Sequence, residues 1–233
     1  MKSIILDKRL YTVASELGEG HVLTDIGSDH AYLPIYLLQN KKIERAIITD
    51  VKPKPLEKGI ENVTQYQLNQ FCDFRLGSGF DVLKPDEADL ISICGMGGEL
   101  ISSLIQQAGN VIDSGQKLVL QPMSNAALLR KTVIEMGFRI INEKMVRDKH
   151  LFYQVIVVIR GHETYYSEEI DFEFPKLLRR EKDAVMKEYL LYQLNVQHKI
   201  YAQLRDEKQS ELLKISQNRI DTIGGLLKEY ESE

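Results

Sequence analysis

Val22-Leu23-Thr24-Asp25-Ile26-Gly27-Ser28-Asp29-His30-Ala31 runs from an apolar strand straight into a tight turn. The dinucleotide fingerprint at such a turn is G-x-G-x-x-G, whose glycines let the backbone approach a pyrophosphate. From Gly27 this chain reads Gly-Ser-Asp-His-Ala-Tyr, so Asp29 stands at the second glycine position and Tyr32 at the third. A carboxylate about 4 Å from a phosphate costs several kcal/mol at intermediate dielectric, and gains a similar amount beside an ammonium or sulfonium. Asp25 and Asp29 therefore disfavour a nucleotide diphosphate and favour a cationic ligand such as S-adenosylmethionine. Methyl transfer is expected over hydride or phosphoryl transfer. The competing assignment is that both acids only cap the helix starting near Ala31.

Around this turn the chain alternates. β-rich runs fall at 21–26, 45–49, 72–76, 89–94, 117–121, 138–146 and 152–160, and helical patterns at 31–40, 55–67, 98–108 and 125–136. The central runs are nearly continuous Val, Ile and Leu, as strands covered on both faces are. Such alternation predicts βα units with a parallel sheet, and the short Asp148-Lys149-His150 connection makes the last two runs an antiparallel hairpin at one sheet edge. The expected fold is α/β, in a pattern that resembles the Rossmann-like class I methyltransferases.

Three further loops sit at predicted strand ends, where ligands bind in open α/β sheets. Asp50, with Val51 beside it, ends the second strand 23 residues after Gly27, where an acid accepts ribose hydroxyls. It could equally be an acid at a helix start ahead of Pro53. Leu76-Gly77-Ser78-Gly79-Phe80-Asp81 offers small residues beside an adenine ring and Phe80 to pack on it, or else plain turn chemistry. Cys94-Gly95-Met96-Gly97-Gly98 marks close backbone approach, expected toward a ligand. No Pro-Pro-aromatic loop occurs there, which argues against methyltransferases of exocyclic amines.

The 233 residues carry a net charge of −4, concentrated after Gly161, where 11 Lys and Arg face 15 Asp and Glu. That balance lowers the case for nucleic acid without excluding a local basic patch. No run of eighteen apolar residues is present, and Cys72 and Cys94 suit a reducing compartment without a disulfide framework or a metal site. Two domains are expected, residues 1–161 and a helical 162–233. In the latter, Val185, Tyr189, Tyr192, Val196, Ile200 and Leu204 make one stripe, and Leu212, Ile215, Arg219, Ile223, Leu226 and Tyr230 a second. These predict an antiparallel, coiled-coil-like hairpin, with Asp183 capping the first helix and Asp206–Ser210 turning the chain. One continuous helix is the alternative.

Asp25-Ile-Gly-Ser-Asp-His-Ala-Tyr-Leu-Pro34, the Gly95-Met-Gly-Gly98 loop and Gln121-Pro122 resemble the bacterial TrmK family, over essentially the whole chain. The resemblance implies a tRNA (adenine-N1)-methyltransferase acting on adenine twenty-two, with S-adenosylmethionine as cofactor and tRNA as partner. It implies no membrane association and no metal, and a monomer in the cytoplasm is expected. It implies cofactor contacts at Gly27, Ser28, Asp29, His30, Asp50, Ser78, Gly79, Gly95 and Met96. Arg9 belongs to the family's Arg-Leu start and could pair with the methionyl carboxylate. Asp29 is the candidate catalytic group, as a carboxylate near N1 or the 6-amino group, and His30 the second. The basic clusters Lys176, Arg179, Arg180, Lys182 and Lys144, Arg147, Lys149, His150 are candidate tRNA contacts. From the residues alone, a small-molecule or protein methyltransferase and a non-catalytic cofactor-binding scaffold remain open.

Overall fold

A computed structural model describes residues 3–113, 115–163, 165–204 and 210–231. The chain divides into two compact units, Met1–Glu173 and Phe174–Glu233. In the first, the elements run α1 (Lys8–Leu17), β1 (Val22–Ile26), α2 (Tyr32–Gln39), β2 (Arg45–Asp50), α3 (Pro53–Gln65), β3 (Cys72–Leu76), β4 (Leu90–Gly97), α4 (Gly98–Gln107), β5 (Lys117–Ser124), α5 (Ala126–Glu135), β6 (Phe138–Asp148), β7 (Leu151–Arg160) and α6 (Glu169–Glu173).

The strands form one sheet in the order β3-β2-β1-β4-β5-β7-β6. β1 to β5 are parallel, while β7 pairs antiparallel with both β5 and β6. The β6–β7 hairpin thus sits at the edge, with its second strand inserted next to β5. The Val, Ile and Leu runs form strands because both faces are covered: Leu23, Ile48, Ile91, Val119 and Val157 are almost fully buried.

Two features depart from the pattern expected of the sequence, a helix ahead of β1 and the end of the first unit. The connection from β3 to β4, residues 77–89, holds no helix, in keeping with the sequence, where no helical pattern falls there. Gly77, Gly79 and Pro85 break it, Asp86 takes a left-handed φ of 60°, and Arg75 fastens it to Val82 O and Glu87 at 2.8 and 2.6 Å. Helix α1 is additional. Asp7 caps it by accepting from Leu10 N at 2.7 Å, and Gly18 ends it with its N–H on Ala14 O. The first unit also reaches Glu173 rather than Gly161, because the following segment is bonded into the sheet layer. Glu163 accepts from Ile140 N at 2.8 Å, the Tyr166 hydroxyl donates to Glu143, and Arg130 donates to Phe172 O at 2.8 Å.

The second unit holds α7 (Lys176–Arg180), α8 (Ala184–Gln203) and α9 (Ser210–Glu229). Asp183 caps α8, accepting from Met186 N at 2.7 Å, as its position predicts. Leu204 turns extended and ends that helix, so the two-helix reading holds over the continuous one. Ser210 is the first helical residue of α9. The rest of the predicted turn, 206–209, lies outside the described residues. The end of α9 returns to α7, with Glu229 3.3 Å from Arg179 and the Tyr230 hydroxyl 3.4 Å from Leu178 O, so α8 and α9 run antiparallel.

The seam keeps the second predicted stripe at Ile223 and Leu226, which are buried, but not at Leu212 and Ile215, which are exposed, and it departs from the first: Met186 and Leu190 are buried while Tyr192 and Ile200 are exposed. Arg219, the one interruption in the second stripe, lays its guanidinium over the Phe174 ring at 6.0 Å. Arg179 also leaves the predicted basic cluster: it is 8% exposed and donates to Phe174 O at 3.0 Å.

Candidate active site

The carboxyl ends of β1 and β4 open onto a cavity of about 460 Å³, lined also by α1, β5 and β7. It gathers Arg9, Asp25, Gly27, Ser28, Asp29, His30, Gly95 and Met96 of the predicted site. Asp50, Val51, Ser78, Gly79 and Phe80 lie outside its lining, at the tips of the neighbouring β2 and β3.

Gly27 bends the chain at φ +75°, and its N–H and that of Ser28 both donate to Thr49 O, at 2.8 and 3.0 Å. A Cβ on Gly27 would lie 1.9 Å from the Met96 methyl, so the two loops interlock there. The helix after the turn is capped by neither acid. The N-cap of α2 is Ala31, in a left-handed conformation and without a side-chain capping bond. The capping alternative for Asp25 and Asp29 is therefore removed.

Asp25 is 6% exposed and accepts from Ser92 Oγ at 2.6 Å. Burial raises its pKa from an ordinary 3.8 to about 6; hydrogen bonds from Ser28 and Ser92 oppose the rise, and the nearby Asp29 adds to it. Protonation is thus favoured in the fold. This contribution to stability is fully present below pH 3.8 and lost as pH rises through 6, a cost of roughly 3 kcal/mol. Replacing Asp25 by Asn removes the ionisation. The melting midpoint of the Asp25→Asn variant should exceed that of the wild type at pH 8, with the difference closing toward pH 4. A constant difference across this range would place the cause elsewhere.

Asp29 is largely exposed, with Oδ2 3.5 Å from His30 Nε2. The His30 ring stacks on Tyr32, centroids 5.1 Å apart and planes 13° apart, and its Nδ1 is buried with no hydrogen-bond partner. Across the cavity, Arg9 donates from Nη1 to Gln121 Oε1 at 2.7 Å and stands 3.7 Å from Asp7. Gln121 is fully buried, and its Oε1 also accepts from Gly95 N at 3.2 Å, tying α1 to the β4 loop. The Cys94 thiol is pushed above its ordinary range, chiefly by burial, and stays neutral.

The other candidates have local work as well. Asp50 Oδ1 accepts from Lys52 N at 2.7 Å, which fixes the turn into α3. Phe80 is 3% exposed and packs inward. At Gly98 a Cβ would meet Asn125 O at 2.3 Å, so this glycine serves the packing of α4 on the β5–α5 turn rather than a ligand.

Ala31, Tyr32, Leu33 and Cys94, all within the stretches quoted from the sequence, also line the cavity; Asp7, Leu10, Met123 and Tyr153 complete the lining and were not singled out by the sequence reading. Asp7 could have been found as a helix cap; Tyr153, in the run Leu151-Phe-Tyr-Gln-Val155, carries no signal of its own. The lining holds three carboxylates, Asp7, Asp25 and Asp29, against the one guanidinium of Arg9. A ligand with two positive groups and one carboxylate fits that set, and a diphosphate does not. Among the described residues, no three His, Cys, Asp or Glu side chains are placed to hold a metal ion, and no helix is long and apolar enough to cross a membrane.

Residues 23–225 match the profile of the TrmK family, tRNA (adenine(22)-N(1))-methyltransferase. The chain belongs to the TrmK family. It is 32% identical to the tRNA (adenine(22)-N(1))-methyltransferase of Bacillus subtilis, over 98% of both chains. Among solved structures it is similar to M. capricolum TrmK in complex with S-adenosyl-homocysteine, with TM-score 0.83 and 26% identity over 97% of this chain and 100% of that one. It is also similar to Streptococcus pneumoniae Sp1610 in complex with S-adenosyl-L-methionine, with TM-score 0.83 and 28% identity over 96% and 100%. The TrmK fold expected of the sequence is thus a class I methyltransferase domain carrying a pair of C-terminal helices.

Proposed function

We propose that this chain methylates N1 of adenine 22 in tRNA, with S-adenosylmethionine as donor, and that it acts as a single chain in the cytoplasm. The observation that carries the reading is the charge of the cavity: three carboxylates and one guanidinium at the tips of β1 and β4, in a chain of the TrmK family. The bound donor supplies a methyl group on a positively charged sulfur. Arg9, held by Gln121, would take the donor's carboxylate. Asp25 and Asp29 would balance its cationic groups, and Asp50 with Ser78 would take its nucleoside end.

N1 of adenine brings its own lone pair, so no general base is required and the site acts mainly by orientation. Positive charge grows on the purine as the methyl moves, and the Asp29 carboxylate opposes that charge. His30 sits beside it with one ring nitrogen unpartnered, able to hydrogen-bond or stack against the base. N1 is hidden in stacked or paired RNA, so the nucleotide swings out into the cavity. The helical unit, Phe174–Glu233, is the proposed grip on the tRNA body.

Incubation with unmodified tRNA and labelled S-adenosylmethionine, followed by mapping of the modified nucleotide, tests this reading. The label should appear as N1-methyladenine at position 22 and vanish when that adenine is replaced by guanine. Labelling of small metabolites in place of tRNA would reject it.

A further inference from the structure

The strand order assigns different tasks to the two walls of the cavity. Apart from Arg9 on α1, the residues proposed for the donor lie at the tips of β3, β2, β1 and β4, which are consecutive in the sheet. The cavity continues past β4 onto β5 and β7, where Met123 and Tyr153 line it. Leu120 and Ile156 are paired across β5 and β7, and Met123 and Tyr153 each lie three residues beyond that pair, at the same end of the sheet. No donor contact is proposed for either. The Arg9 guanidinium stands 5.8 Å from the centre of the Tyr153 ring, and its bond to Gln121 fixes it there.

We infer that Tyr153 is the platform on which the acceptor adenine stacks, so that β5 and β7 form the base-binding wall of the site. This rests on the methyl-transfer reading above. In the reaction the N1 lone pair forms the new N–C bond, and the S–C bonding pair returns to sulfur. One positive charge passes to the purine, and no proton has to move. An aromatic face attracts a base as it becomes cationic, and stacking itself tolerates the neutral ground state. Tyr153 therefore positions the base and favours the charged state more than the starting one.

The test compares Tyr153→Phe, Tyr153→Leu and Tyr153→Ala in three measurements: turnover on a full-length tRNA transcript, equilibrium affinity for that tRNA, and calorimetric affinity for S-adenosylmethionine. The phenylalanine variant should keep kcat within about threefold. The leucine and alanine variants should lose about 10- to 100-fold in kcat, with donor affinity within about twofold. Affinity for tRNA should change little, because phosphate contacts supply most of it. Full turnover in both truncated variants overturns the inference. So does a parallel loss of donor affinity, which would put Tyr153 on the donor side or in the fold. A wild-type enzyme that methylates no tRNA at position 22 would instead reject the underlying reading, whatever the variants do.

Discussion

Arg130→Met is expected to destabilise the first unit by about 3–5 kcal/mol. Arg130 is 1% exposed and Glu143, its partner at 2.8 Å, is fully buried. The guanidinium also donates to Phe172 O at 2.8 Å and to Gln154 Oε1 at 2.6 Å. These bonds join α5, β6, β7 and the segment after the hairpin. Methionine fills the space of the stem but leaves the Glu143 carboxylate buried with only the Tyr166 hydroxyl among these partners. An uncompensated buried charge is what makes such a loss large; the intact pair adds little net stability, since burial has already cost both groups their water. Urea denaturation of the single variant and of Arg130→Met/Glu143→Leu separates the two effects. The double variant should recover most of the loss, and equal losses in both would show that packing, not charge, is responsible.

Asp29→Ala is expected to lower the methylation rate about 100-fold, the size of effect typical of a lost group facing transition-state charge. Donor affinity should stay within about threefold, because Asp25 remains buried behind it. The Asp29 side chain is exposed in the free protein, so its field is weak until tRNA covers the cavity and removes water. Asp29→Asn separates charge from shape: it should be nearly as slow as alanine if the negative charge is what acts. Turnover near that of the wild type with donor binding intact would exclude the catalytic role. Rate and donor affinity falling together would make Asp29 a donor contact only.

The sheet was legible because its central strands are apolar on both faces and its β-rich runs are set off by turn residues and helical patterns, so all seven could be placed within a few residues. The acidic turn was legible too, since Asp29 stands where a phosphate loop needs glycine. The far wall was not. Tyr153 and Met123 line the same cavity only because β7 enters antiparallel beside β5, and periodicity says nothing about which edge a hairpin joins. The seam of α8 was misplaced for another reason. Apolar side chains stand at Val185, Met186, Tyr189, Leu190, Leu191, Tyr192, Leu194 and Val196, so several adjoining faces satisfy the same period. Tertiary packing chose the face of Met186 and Leu190. In the same way, Gly98 read as a ligand-facing glycine because a close backbone approach leaves the same mark whether its neighbour is a ligand or Asn125.

The interlock of Gly27 with Met96 limits how this site can change over time. A methyl group at position 27 would occupy the place already held by the end of the methionine, in a backbone conformation that disfavours any side chain. The methionine end is flexible and can swing aside, so the backbone at φ +75° is the lasting barrier, and it holds position 27 to glycine whatever residue stands at 96.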